Sequence, residues 1–475
     1  MSNGFNITGS QIVVSGSLIL SDAYGNATGS LFGTASYAAT SSYSEKTSVN
    51  LSDTGYFDVT YDTENSQLYF TFPPFVNQGY NSTTQRAVYL SNGNVVITGD
   101  FTDYGGTTQN YLSALDSAGN IATNFTNTTG FDLRTLGIAA LPDSSIIVGQ
   151  WDYYTNTSEI TLWNGASVSR PVKINSDGTL NTTWQTNIGT GLGFNNRAYP
   201  LTVSPDGNSI YMGVGYAGTN TLTFDGNTVN TVIKLDLDGN IDSTFTSNFP
   251  SKSNLSSVGV ILPSADSNYI LVNKAFNTPW SGVNNSNKMG LFNPDGTLAS
   301  KGIWNTSPLG NGQLASQITF YKTAGASTYH YLFTGYNGPV YSRNTTFNGT
   351  SVNDIIVVDE NGNLDTSFSS VSISTPLSGT TAGINKVYYI QNEQAFILGG
   401  NFQSINGSTH NGIVKIFIDG TIDTTFNSGT GFNGIVNDIV KHPTLDLLLV
   451  AGAFTTYDGT TVDGLVRIDF NGDIV

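Results

Sequence analysis

One pattern constrains this chain more than any other. An apolar strand, a glycine-bearing turn, and a short segment reading Leu/Ile, Asp/Asn, any residue, Thr/Ser, Phe/Trp return along most of its length. The copies are LDSAGNIATNF (115–125), INSDGTLNTTW (174–184), LDLDGNIDSTF (235–245), VDENGNLDTSF (358–368) and IFIDGTIDTTF (416–426). FNPDGTLASKG (292–302) is a degenerate copy and DFNGDIV (469–475) a truncated one. Their turn glycines, Gly119, Gly178, Gly239, Gly296, Gly362, Gly420 and Gly472, lie 52 to 66 residues apart. Other apolar runs close on an aromatic residue, among them NVVITGDF (94–101), SIIVGQW (145–151), AFILGGNF (395–402) and LLLVAGAF (447–454). Seven four-stranded units at this spacing predict an all-β chain folded as a seven-bladed β-propeller. A ring of repeats also explains how 475 residues can form one domain, where length alone would suggest roughly two to four.

No sustained helical stripe competes with this reading. The Asp-Gly and Asn-Gly steps supply positive φ, which predicts two-residue hairpin turns. The apolar residue after each turn is expected in the core, and the aromatic four residues later between neighbouring blades. DLDGNID (236–242) resembles a calcium loop. With Gly239 as position six, Lys234 and Phe245 stand where position one needs an oxygen ligand and position twelve a Glu, so a plain hairpin is expected and no metal.

The run from Asp419 to Phe426, the GFNG at 431–434 and the stretch Leu449 to Gly459 resemble the delta-60 repeat family of β-propellers. That pattern reads D-G-x-L/I-D-x-T-F, then G-F-N-G, then L-V-G-G-x-F-T-x-Y-x-G. GGNFQSING (399–407) fits it almost as well, and the resemblance fades around residues 255–345. It implies a propeller fold and brings no catalytic motif.

Composition excludes several functions. Lys plus Arg number 17 against 34 Asp plus Glu, for a net charge of −17, so a nucleic-acid footprint is not expected. An anionic membrane surface would repel the chain, and no apolar run is long enough to insert. Cysteine is absent, which removes disulfides, thiolate metal sites and cysteine nucleophiles. Three histidines, His330, His410 and His442, fall in three separate blades. His330 is expected to be packed, His410 solvated and His442 at a turn. GTGLGF (189–194) lacks the Lys-Ser/Thr and helix of a phosphate loop. No enzyme and no cofactor are expected.

Residues 1–47 read as a separate extended segment and 48–475 as the propeller, with 48–85 as lead-in. The segment is polar and spaced by Gly-Ser steps, and it cannot bury a core alone. SLFGTASYAATSSYS (30–44) resembles segments of structural and fibre proteins of tailed bacteriophages. The resemblance implies a non-enzymatic structural protein of a virion. It would be anchored to other virion proteins through residues 1–47 and be homo-oligomeric, with a trimer favoured. The opening MSNGFNITGS carries no basic region or apolar stretch, so no export signal is expected.

Two alternatives stand beside that reading. A receptor-binding adhesin would stack host glycans on exposed aromatics flanked by amides, and Trp151, Tyr153, Trp163 and Trp280 are the candidates. For Trp151 the competing reading is packing between blades. A carbohydrate depolymerase would need paired carboxylates in a cleft, which no insertion concentrates.

The final expectation concerns closure. The last unit stops at Val475 and lacks a strand, while ENSQLYFTFPPFVNQGYN (64–81) carries one with no blade of its own. Residues 67–73 should therefore pair with 464–470, setting Leu68, Phe70 and Phe72 beside Leu465, Arg467 and Ile468. Tyr80 and Asn81 should play the part of Phe432 and Asn433.

Overall fold

The computed structural model describes strands at 11–15, 58–62 and 67–71, then most of residues 75–475. Outside the described residues lie 150–161, 190–197, 215–221, 251–257, 275–288, 300–314, 324–327, 336–345, 348–349, 380–381 and a few single positions.

The chain is all-β. Among the described residues from 84 to 475, seven three-stranded antiparallel sheets of one pattern follow one another; one further three-stranded sheet is a small hairpin, Ser404–Ile405 with Ser408–Thr409, joined by Ile373–Ser374. The first is Thr84–Tyr89, Val95–Gly99 and Leu112–Leu115, and the last is Ile435–Lys441, Leu447–Ala453 and Leu465–Asp469. A fourth edge is added to each by one bridge just past the turn: Leu115 with Ile121, Ile174 with Leu180, Leu235 with Ile241, Phe292 with Leu298, Val358 with Leu364, Ile416 with Ile422 and Ile468 with Ile474. The C-terminal unit is therefore complete. Asp473 to Val475 form its fourth edge, with the Val475 amide donating to the Arg467 carbonyl at 3.0 Å.

The turns differ from the two-residue form expected. The Asp116 amide bonds the Asn120 carbonyl and the Gly119 amide bonds the Asp116 carbonyl, leaving three residues in the loop with glycine last. This is a type I turn followed by a left-handed residue, and Gly119 has φ +88. Positive φ is not its only constraint in the repeat: a Cβ on Gly178 would sit 2.3 Å from the Thr126 carbonyl oxygen of the preceding unit. True two-residue turns occur elsewhere, in a small hairpin between the second and third strands of most units. Asn164-Gly165, Asp225-Gly226 and Asp458-Gly459 each place both residues at positive φ, as a type I′ turn requires.

Among the described residues two short helices interrupt the β-structure, Thr182–Asn187 and Ser243–Asn248. Asn181 and Asp242 cap them by accepting from the Trp184 and Phe245 amides at 2.8 and 2.9 Å. The Asp/Asn of the repeated L-D-x-T-F is thus a capping residue. In units without a helix it forms a tight turn instead: Asp423 accepts from the Thr425 amide at 2.9 Å.

The core lies between sheets rather than within them. Each apolar cluster joins two successive sheets, for example Phe125, Phe131, Ile146 and Trp163 between the first and second. Another holds Phe432, Val436, Leu448 and Tyr457 between the sixth and seventh. One cluster joins the last sheet to the first: Leu449, Ala451 and Leu465 pack with Tyr80, Ala87, Ile97 and Tyr104, and Phe75 leans on it.

The expected closing strand is otherwise engaged. Gln67–Thr71 pairs on one edge with Gln11–Ser15 and on the other with Asp58–Asp62. Leu465–Asp469 pairs with Leu447–Ala453 and reaches its own C-terminal edge through Ile468. Both edges of both strands are filled, so 67–71 does not join 464–470. Leu68 and Phe70 belong to the N-terminal sheet, and Phe72 lies outside the described residues.

Candidate functional site

Where the last sheet meets the first, the chain makes a seam from its two ends. Phe75 lies over the Arg467 guanidinium, 5.5 Å from ring centroid to Cζ. The Asn77 side-chain Nδ2 donates to the Val462, Asp463 (3.3 Å) and Leu465 (2.9 Å) carbonyls. The Tyr80 amide donates to the Asp463 carbonyl at 3.3 Å. Arg467 crosses the seam in the other direction, its Nη1 on the Ser117 carbonyl at 3.1 Å.

A charged group also joins these sheets. Lys386, Asp438 and Arg86 each follow the β-bulge in the first strand of the sixth, seventh and first sheets. A bulge re-aims a side chain. Lys386 Nζ lies 2.8 Å from Asp438 Oδ1, and Asp438 Oδ2 accepts from the Ala87 amide at 3.1 Å. Asp438 is 2% exposed. Burial alone would raise its carboxyl, but the Lys386 and Arg86 charges and the Lys386 and Ala87 hydrogen bonds outweigh that and hold it below the usual range. The preceding bulge residues bridge sheets too: the Asn385 and Asn437 side-chain Nδ2 groups donate to the Val436 and Thr84 carbonyls, each at 2.9 Å. These polar groups are committed to holding sheets together.

The same holds for four buried or half-buried cations that the sequence reading passed over. Lys173, Lys234, Lys415 and Arg467 occupy one repeat position, just before the bridged residue of the third strand. Each reaches a carbonyl in the turn of the next sheet: Leu237, Pro294, Phe470 and Ser117 respectively. The signal was available as a lone cation inside an apolar strand.

Trp163 does not present a surface. It is 1% exposed, packs on Phe131 at 4.6 Å, and donates its indole N–H to the Gly178 carbonyl at 3.0 Å. Tyr104 and Tyr457 hold the equivalent place, their hydroxyls on the Gly119 and Gly472 carbonyls at 2.6 and 2.7 Å. Trp163 is thus the aromatic of the small hairpin and a part of the repeat. Trp151, Tyr153 and Trp280 lie outside the described residues.

The turn carboxylates are spent on backbone. Asp116, Asp236 and Asp359 each accept two amides from their own turn, and Asp177, Asp295 and Asp419 each accept the amide and hydroxyl of the Thr two residues on. The Thr179 hydroxyl and amide hold Asp177 below its ordinary value, as Thr421 does for Asp419. His442 is buried, its Nδ1 facing the Thr444 and Leu445 amides at 3.3 and 3.2 Å. Burial, with Arg467 and Lys441 nearby, pulls it down to about 4. His330 stacks on Tyr321 at 5.3 Å. His410 is half-buried rather than solvated.

The turns between first and second strands border a cleft of about 370 Å³. Tyr89, Leu141, Val203, Pro142, Pro205 and Pro443 are among its walls, and no charged side chain lines it.

Four stretches, residues 90–125, 216–245, 397–426 and 448–474, match the model of the DUF5122 β-propeller, a domain of unknown function. The match fits a β-propeller and covers the turn repeats at both ends of the chain. No curated protein matches the sequence. Among solved structures, an oligogalacturonate lyase of Vibrio parahaemolyticus is similar at 11% identity, covering 88% of this chain and 97% of its own, with a TM-score of 0.46. A β-propeller domain from Myceliophteria thermophila is similar at 8% identity, covering 78% and 94%, with a TM-score of 0.38.

Proposed function

We propose that this chain is a seven-bladed β-propeller, a delta-60 type repeat protein, that serves as a non-enzymatic structural component of a tailed-bacteriophage particle. Residues 1–47 would attach it to other virion proteins, and the propeller would be displayed outward. The observation that carries the virion assignment is the segment SLFGTASYAATSSYS at 30–44, with its likeness to phage structural proteins. The geometry supports a rigid, non-catalytic body. Successive sheets share one apolar cluster each, the last sheet rests on the first, and the repeated carboxylates are consumed by their own turns. A depolymerase needs two carboxylates across a cleft, and the cleft between the turns is lined by none.

The test is immunogold labelling of intact particles with antibodies against residues 75–475, beside mass spectrometry of gradient-purified particles. Labelled particles carrying the full chain support the proposal. A protein confined to the soluble fraction of a lysate overturns it. A glycan array probed with the same protein separates display from adhesion, since the adhesin reading now rests on Trp151, Tyr153 and Trp280.

A further inference from the structure

We propose that the side chains of Lys415 and Asp423 become joined by an amide bond, formed by the folded protein itself with Glu393 as the proton carrier. This covalent site goes beyond the structural role proposed above. The chain has no cysteine, so a covalent staple within it has to use other chemistry.

The three residues come from three parts of the sixth sheet. Lys415 lies in its third strand, Ile413–Phe417. Asp423 follows the bridge of Ile416 with Ile422, and its backbone amide donates to the Lys415 carbonyl at 2.9 Å. Glu393 lies in the turn between Gly383–Ile390 and Ala395–Asn401. Lys415 Nζ sits 3.2 Å from Asp423 Oδ2 and against Glu393 Oε2. The Lys415 and Asp423 side chains are 4% and 5% exposed, and that of Glu393 34%. An amine and a carboxyl held together out of water are the two halves of an amide, and their fixed proximity replaces a bimolecular encounter.

Every atom that the step needs has a place. The starting state is an ion pair: burial raises the Asp423 carboxyl, but the Thr425 hydroxyl and amide and Lys415 outweigh this and hold it below its ordinary value. Nζ carries three protons and has three acceptors: Asp423 Oδ2, Glu393 Oε2 and the Phe470 carbonyl at 3.2 Å. Transfer of one proton from Nζ to Oδ2 gives a neutral amine beside a neutral carboxyl. The Nζ electron pair then attacks Asp423 Cγ. The negative charge falls on Oδ1, which already accepts the Thr425 amide at 2.9 Å and hydroxyl at 2.6 Å, two donors placed for an oxyanion. Glu393 takes a second proton from Nζ and passes it to Oδ2, which leaves as water. The Nζ–Cγ bond forms, the Cγ–Oδ2 bond breaks, and nothing is oxidised or reduced. The third proton stays on the new amide, facing the Phe470 carbonyl.

The third sheet holds an internal control. At the same repeat position Lys234 Nζ lies 3.0 Å from Asp242 Oδ2 and donates to the Pro294 carbonyl at 3.1 Å, with side chains 17% and 30% exposed. That pair is wetter and has no counterpart of Glu393 among its described contacts, so it should remain an ion pair. The link would also serve a purpose where it lies. Each fourth edge hangs on one bridge, and this one leads into Phe426 and the Asn427 amide, which reaches the seventh sheet.

The experiment is intact-protein mass spectrometry of the purified full chain, followed by digestion and sequencing of linked peptides. The mass should fall short of the sequence by one water, with residues 415 and 423 in one branched peptide. Lys415→Arg keeps the charge, cannot form the bond, and should carry the full mass. Glu393→Gln, at a partly exposed turn, should form the link at least tenfold more slowly. Chain recovered from inclusion bodies and kept in urea should carry the full mass until it is refolded. Thermal melts establish that each variant is folded. A succinimide at an Asp-Gly step such as 419–420 loses the same mass, but hydroxylamine cleaves it and spares the amide.

Full mass in the folded chain after days at neutral pH, water loss that survives Lys415→Arg, or a link mapped elsewhere would each overturn the assignment. An unchanged rate in Glu393→Gln, or equal linkage of Lys234 with Asp242, would overturn the part given to Glu393.

Discussion

The interface between the sixth and seventh sheets and the seam between the seventh and the first use the same parts in different ways. At the first, Asn433 accepts from the Thr455 and Thr456 amides, and Phe432 bridges Tyr457. At the seam, Asn81 accepts from the Thr102 and Asp103 amides, and Tyr80 bridges Tyr104. What differs is how the aromatic arrives. Phe426 reaches the sixth-to-seventh interface on the chain that has just left the sixth sheet, and the Asn427 amide clamps the next turn through the Asn471 carbonyl at 2.6 Å. At the seam the two packed sheets are the last and the first of the series, far apart in sequence. Phe75, from the other end, takes the aromatic's part, and Asn77 ties it to three carbonyls nearly 390 residues away. Where packed sheets are not consecutive in sequence, side-chain bonds to backbone join them, and the seam becomes sensitive to single side chains and to pH.

The sharpest way to break this comparison is truncation. A chain beginning at residue 73 keeps Phe75, Asn77 and Tyr80 and should melt within a few degrees of the full protein. One beginning at residue 83 exposes the cluster around Leu449 and Leu465, and should aggregate or lose its cooperative transition. Calorimetry of both chains decides, and similar melting of the two would remove the closing role from residues 75–80.

Next comes Trp163→Ala, at the continuous interface between the first two sheets. Burial and the bond to Gly178 make this a core truncation, with an expected loss of about 3–5 kcal/mol by chemical denaturation. A loss under about 0.5 kcal/mol would return Trp163 to the surface.

Acid should then separate the seam from the rest. Asp438 has a depressed native pKa, so its contribution is complete above the unfolded carboxylate value near 4 and disappears as pH falls through the native value. His442 packs on Tyr89 across the seam at 4.9 Å. Its native value of about 4 lies below the ordinary 6.5, so the neutral form is favoured by folding and stability falls as pH drops from 6.5 towards 4. The stability profile should therefore fall in two stages. His442→Asn should flatten the first, worth about 2–3 kcal/mol. Asp438→Asn should flatten the second and lower neutral stability by about 2–3 kcal/mol. Denaturant midpoints between pH 3 and 8 measure both.

The repeats were legible because their signal is local. A turn glycine, a capping Asp or Asn and an aromatic at fixed offsets act within one unit, and the seven glycines named from the sequence all have positive φ. The equivalence of Tyr80-Asn81 with Phe432-Asn433 was legible for the same reason. The closing strand was misjudged because strand pairing at a distance depends on which edges are already filled. Nothing local in QLYFT announces that Gln11–Ser15 and Asp58–Asp62 will take both sides of it. Nor does NGDIV look like a fourth edge until six other units show that one bridged residue suffices. Trp163 was misassigned because its hairpin reads LWNGAS where others read DYGGTT or TYDGTT, and the shared aromatic-x-Gly step is short.

The smallest effect carries the finest distinction. Asn77 and Asn433 are both asparagines that tie a connecting segment to a neighbouring sheet, yet their surroundings differ. Asn433 is exposed, and its amide donates to the Thr455 hydroxyl at 2.7 Å, a group water can replace. Asn77 is half-buried; its amide serves three carbonyls, and its Oδ1 accepts the Gly79 amide at 3.0 Å, fixing the bend that brings Tyr80 into the core. Removing it leaves acceptors with restricted access to water, which costs more than losing an exposed bond. Asn77→Ala should therefore cost about 1–2 kcal/mol and Asn433→Ala about 0.5–1 kcal/mol. The difference should grow in the chain beginning at residue 73, where nothing upstream helps hold the segment. Equal losses in both backgrounds would mean that the seam is held by its apolar cluster alone, and that the hydrogen bonds of Asn77 merely follow from it.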